Sequence, residues 1–188
     1  MWNKHTQNLQ TCLSSIEVSG NDCCPDGCDE AFSVWKGMTE ELRKQGKIIY
    51  LIGNGASASM ASHFSADLAK NAHVHTQVFT DLALITALAN DISYDQVFVE
   101  PLKRRLTADD MLVAISSSGN SPNVVNACSL AADTGASVIT LSAMSAENKL
   151  RSMGDINFWL PAETYGMAET GHACILHYWM DSVSFPPA

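Results

Sequence analysis

Apolar side chains recur along this chain with two different periods, and the change from one to the other falls near residue 46. Before it the spacing is helical. Leu9, Leu13 and Ile16 predict a helix over 5–18, and Phe32, Trp35, Met38 and Leu42 predict a second over 29–45. A Pro-Gly loop at 25–27 separates the two. From Lys47 onward the apolar residues come in short unbroken runs: KIIYLIG (47–53), TQVFT (76–80), MLVAIS (111–116), ASVITLS (136–142) and INFWLP (156–161). Helices are predicted between them over 57–71, 83–105 with a break near Asn90, 122–134, 146–152 and 166–183. Continuous apolar strands alternating with helices imply an α/β fold with a parallel sheet covered on both faces. The whole of 1–188 reads as one domain, a helical pair (1–45) ahead of an α/β core (46–188). The apolar stripes of that pair suggest packing against another copy.

Composition narrows the function classes. Apolar residues make up 46% and charged residues 16%, an ordinary globular balance, and the formal charge of -9 disfavours a nucleic-acid backbone as partner. The basic cluster Lys103-Arg104-Arg105 reads as a solvated helix end. No run is long and apolar enough to cross a bilayer, and the opening MWNKHTQNLQ lacks the apolar stretch of a signal peptide, so a cytoplasmic protein is expected. Cys23, Cys24 and Cys28 crowd together as if around zinc. No second cysteine pair answers them, so a reduced loop between helices is the better reading, with Cys12, Cys128 and Cys174 as core or boundary residues.

In open parallel sheets ligands bind beyond the carboxyl ends of the strands, and two strand ends here are chemically unusual. Gly53-Asn54-Gly55-Ala56-Ser57-Ala58 fits the loose G-x-G-x-x-A dinucleotide pattern, with Asp81 near the distance of a ribose-binding acid. That pattern is short. The second strand end, Ser116-Ser117-Ser118-Gly119-Asn120-Ser121, leads into Pro122 at a helix start. Hydroxyls and free N–H groups at a helix N-terminus make a cradle for phosphate, because the unpaired donors and the dipole both favour an anion. On the helix after the first turn, His63 and Asp67 stand at i and i+4 and share a face. Near the C-terminus, Glu169, His172 and His177 form a second cluster. Glu169 and His172 are i,i+3 neighbours, and Glu169 and His177, eight apart, also lie on nearby faces.

Taken together, GNGASAS…HFSADL, LANDISYDQVF, DDMLVAISSSGNSPNVVNA and VITLSA resemble, in order and spacing, the blocks of the sugar isomerase (SIS) domain family, and within it the phosphoheptose isomerases. The resemblance runs from about Lys47 to Asp181, and the two N-terminal helices suit it. It implies an SIS-type fold assembled as a homotetramer, with the N-terminal helices in a central bundle. It further implies conversion of sedoheptulose 7-phosphate to an aldose phosphate for lipopolysaccharide, capsule or S-layer heptose. By position, Ser57, Ser116, Ser117, Ser118 and Ser121 would hold the phosphate, Asn54 and the Asn90-Asp91 pair would contact the sugar hydroxyls, and Gly55 and Glu169 would also bind substrate. Asp67, Glu169 and His177, or His172 in its place, would be catalytic. His63, Asp67, Glu169 and His177 would be the ligands of a possible zinc ion, and no nucleotide cofactor is expected. Family members typically carry glutamate at the place of Asp67 and glutamine at that of Glu169. A related SIS protein of replication initiation binds without catalysing; it and a dinucleotide enzyme are the alternatives.

Overall fold

The computed structural model describes residues 1–20 and 26–184. Along the chain they form α1 (Trp2–Ser14), β1 (Glu17–Gly20), α2 (Cys28–Gln45), β2 (Ile48–Gly53), α3 (Ala56–Ala72), β3 (His75–Val78) and α4 (Leu82–Asp91). There follow α5 (Val99–Leu102), β4 (Met111–Ser116), α6 (Pro122–Thr134), β5 (Ser137–Ala143), β6 (Ile156–Leu160) and α7 (Tyr165–Ser184). Single 3-10 turns lie at Tyr94–Gln96 and Lys149–Ser152.

The six strands make one sheet in the order β1-β6-β5-β4-β2-β3, parallel except where β1 pairs antiparallel with β6. The unbroken apolar runs are explained by burial on both faces. Along β2, Ile49 and Leu51 point into a core shared with α2, α3 and α7, while Tyr50 and Ile52 point into one shared with α5 and α6. The first core is locked by Trp35 of α2 stacked on Trp179 of α7 at 4.0 Å, worth about 0.5–1.5 kcal/mol beyond the area buried. Trp179 Nε1 also donates to Thr39 Oγ1 at 3.0 Å, so the indole's polar atom is satisfied inside.

Four expectations change. The first predicted helix stops at Ser14, and Ile16 leads into the edge strand β1; the helical pair is therefore interrupted by a strand of the core sheet. The apolar stripe of α2 is spent within the chain, since Trp35 and Leu42 are buried against the chain's own sheet, whereas α1 buries only Cys12 and leaves Trp2 73% exposed. The stretch 146–152 contains one 3-10 turn instead of a helix, and the strand read at 76–80 is His75–Val78. Cys23 and Cys24 lie outside the described residues. Cys28 opens α2, with its thiol donating to the Ile16 carbonyl. Among the described residues no helix is long and apolar enough to cross a membrane.

Candidate functional site

β2 and β4 are neighbours whose last paired residues are Gly53 and Ile115, so the loops that follow them emerge side by side. A Cβ on Gly53 would lie 2.6 Å from the Ser57 Cβ and 2.9 Å from the Ile115 carbonyl oxygen; only glycine lets the first turn of α3 come this close to β4. Between the loops lies a cleft of about 290 Å³. Asn54, Gly55 and Ser57 line it from the first loop, Ser116, Ser117, Ser118 and Ser121 from the second, and Tyr165 and Glu169 from the start of α7. α3 and α6 both begin at this rim, so the positive dipole ends of two helices face one cavity. The serine loop is closed by one bond of its own and tied down by two from outside. Gly119 N–H bonds to the Ser116 carbonyl, Leu150 N–H to the Gly119 carbonyl, both at 3.0 Å, and Lys149 N–H to Asn120 Oδ1 at 3.1 Å. This is an anion-binding geometry.

A second cluster forms where α3 packs on α7. His63 Nε2 is 3.5 Å from Asp67 Oδ2, Lys70 Nζ is 3.6 Å from Asp67 Oδ1, and the His177 ring lies 5.8 Å from that of His63 and edge-on to Phe64 at 4.7 Å. Glu169 is instead in the serine cleft, eight residues or about 12 Å along the axis of α7 from His177. The four side chains expected to ligate zinc are thus divided. Among the described residues no three His, Cys, Asp or Glu side chains stand close enough together to hold a metal ion. The donor set does not fit a zinc site within one chain.

His172 and His177 separate cleanly. His177 is exposed, while His172 is wholly buried and both of its ring nitrogens lack a hydrogen-bond partner. His172 therefore lies out of reach of anything in the cleft, which removes it from the catalytic set. Burial pushes its imidazole from 6.5 down to about 4, the Ser142 backbone coming close enough to offset part of that cost without reaching hydrogen-bond geometry. The folded chain then holds His172 neutral where the unfolded chain would protonate it. Its contribution is complete above pH 6.5 and is lost as pH falls towards 4, to a total of about 3 kcal/mol. His172→Leu should accordingly flatten the fall of unfolding free energy between pH 6.5 and 4, measured by urea titration. A wild-type and variant difference independent of pH over that window would refute this.

Asn90 and Asp91 are exposed, bonded to each other at 2.8 Å, and do not line the cleft. Asp81, the would-be ribose acid, caps α4 by accepting from the Leu84 N–H at 2.9 Å. Asn54 is largely engaged by protein: its Oδ1 accepts from Asn123 at 2.9 Å and from the Tyr94 hydroxyl at 3.0 Å. The basic cluster 103–105 follows α5, with Lys103 and Arg104 paired to Glu100. Sequence reasoning missed Tyr165, Tyr94 and Asn123. Tyr165 could have been flagged by its place one turn before Glu169; nothing local marks the other two.

A family model described as SIS domain matches residues 36–143. Curated relatives include the phosphoheptose isomerase of Helicobacter pylori (strain Shi470), 32% identical over 152 residues that cover 78% of each chain. Another is the phosphoheptose isomerase of Shewanella denitrificans, 30% identical over 186 residues, covering 95% of this chain and 90% of its own. Among solved structures, a phosphoheptose isomerase from Francisella tularensis shares the fold with a TM-score of 0.81 at 22% identity, over 97% of this chain and 94% of that one. The chain belongs to the SIS-domain family and, within it, to the phosphosugar-isomerising enzymes of the phosphoheptose isomerase group.

Proposed function

We propose that the substrate is sedoheptulose 7-phosphate and the product a glycero-manno-heptose 7-phosphate. The observation that carries this reading is the serine-lined cleft beneath two helix N-termini, with the imidazole and carboxylate of His177 and Asp67 further along α3 and α7. The phosphate would sit among Ser57, Ser116, Ser117, Ser118 and Ser121. An extended seven-carbon chain with phosphate at one end spans roughly 10 Å at bond lengths of about 1.5 Å. That is close to the rise along α7 from Glu169 at the cleft to His177, which supports placing the reacting carbons, at the opposite end from the phosphate, beside His177 and Asp67.

Isomerisation moves the proton of C1 to C2 through an enediol, while the O1 hydroxyl proton passes to O2. It needs a base over the C–H and an acid at the oxygen. His177 and Asp67 divide these roles, His63 holding Asp67 from the side. Glu169 orients the sugar hydroxyls nearest the phosphate. Anchoring the phosphate far from the reaction supplies orientation without consuming either proton-transfer group. Assembly as a homotetramer is proposed from the family resemblance, and Trp2 on α1 and Leu82 on α4 are large apolar side chains left exposed.

The test is direct: the purified protein, sized by light scattering, is given sedoheptulose 7-phosphate and the aldose anomeric proton is followed by NMR. Conversion that inorganic phosphate inhibits competitively is expected. A folded preparation that leaves the ketose untouched would remove this substrate.

A further inference from the structure

The two cleft loops are joined by side chains, and this joint is not part of the proton-transfer machinery. Asn123, the second residue of α6, is 1% exposed. Its Nδ2 donates to Asn54 Oδ1 and it accepts from Asn54 Nδ2, each at 2.9 Å, so the two amides form a reciprocal pair. The Tyr94 hydroxyl, from the 3-10 turn after α4, adds a third bond of 3.0 Å to the same Asn54 oxygen. Backbone pairing between β2 and β4 ends at Gly53 and Ile115. Immediately beyond that point the amide pair takes over, bridging residues 69 apart in sequence.

We infer that Asn123 and Tyr94 are positioning residues that act through Asn54 to fix the spacing of the two loops, and with it the phosphate grip. A tetrahedral anion is held by donors from both loops at once, so those donors must converge. Nothing else described at this level ties the glycine turn to the start of α6 by side chains. Both lone pairs of Asn54 Oδ1 are already used, which leaves that oxygen no capacity for a sugar hydroxyl. The resemblance alone assigned Asn54 to the sugar; the hydrogen bonds assign its side chain to the frame.

Loosening the joint weakens phosphate binding equally in the ground and transition states, so KM moves and kcat does not. The inference rests on the phosphate reading of the cleft but not on which sugar carries the phosphate. Tyr94→Phe removes one hydroxyl from a half-exposed residue, and Asn123→Asp sets an oxygen against Asn54 Oδ1. Each should raise the KM for sedoheptulose 7-phosphate and the inhibition constant of inorganic phosphate together, by about five- to tenfold for one lost hydrogen bond. kcat should stay within about twofold, whereas a purely structural role would lower active protein and leave KM alone. Should Asn123→Asp fail to fold, Tyr94→Phe carries the test. Unchanged constants in Tyr94→Phe, or a fall in kcat at constant KM, overturn the inference. If the wild type does not turn over this sugar, the substrate assignment falls and the joint is read from heat unfolding. The variants should then need about five- to tenfold more inorganic phosphate for equal protection. Equal protection of wild type and variants, or none in the wild type, overturns it.

Discussion

His177→Ala is expected to lower kcat on sedoheptulose 7-phosphate by about two to four orders of magnitude, the usual worth of a positioned general acid or base. Asp67→Asn should do the same, because it keeps the shape of the side chain and removes its capacity to take a proton. KM should change little in either, since the phosphate is gripped by serines of the cleft that Glu169 also lines, and Glu169 lies about 12 Å along α7 from His177. Neither change should unfold the protein. His177 is exposed and touches Phe64 only by its edge, and Asp67 makes its contacts with His63 and Lys70 at 3.5 and 3.6 Å, long enough to count as weak surface pairs. Steady-state kinetics with the unfolding midpoint measured alongside decide the matter. Either variant keeping more than about a tenth of wild-type kcat would be incompatible with a general acid–base role.

What could be read from the sequence, and what could not, follows from where each signal is stored. The central strands were legible because β4 and β2 are buried on both faces, and burial writes itself as an unbroken apolar run. β1 was not, because a four-residue edge strand is specified by backbone pairing to β6, which leaves almost no mark on side-chain choice. The serine and glycine loops were legible as chemistry placed at strand-to-helix junctions. The choice between His172 and His177 was in principle legible too. Ala168, His172, Ile175 and Trp179 follow one another at spacings of four, three and four, and all are buried, so His172 belongs to the stripe that docks on the sheet. Pairing it with Glu169 by i,i+3 adjacency overlooked that stripe. The role of Asn54 was out of reach, because its partners Asn123 and Tyr94 are set by the register of β2 on β4 and by the course of the chain after α4. Local spacing predicts neighbours on one element; it is silent on which loops a sheet brings together.

Gly119→Ala should cost about 2–5 kcal/mol of stability and most of the phosphate affinity, from two separate causes. Gly119 sits at φ +63, a left-handed conformation that costs an L-residue about 1–2 kcal/mol. The added Cβ would also lie 2.0 Å from Asn148 Oδ1 and 2.7 Å from Asn148 Cβ, an overlap of the overpacking kind worth about 1–3 kcal/mol. Asn148 cannot simply swing aside. It is 4% exposed, its Nδ2 donates to the Ser145 carbonyl at 2.7 Å, and its Oδ1 accepts from the Arg151 N–H at 3.0 Å. Relief therefore has to come from the serine loop, which would shift Ser118 and Ser121 away from the anion and strain the Leu150 bond to the Gly119 carbonyl. The expected signature is a lower urea midpoint together with a raised KM; measured against an Asn148→Gly background, which carries by itself the loss of the Ser145 and Arg151 bonds, Gly119→Ala should cost only the part due to φ. A Gly119→Ala protein with the wild-type midpoint and KM would mean that the loop is not held by Asn148 and that the grip on phosphate does not depend on its shape.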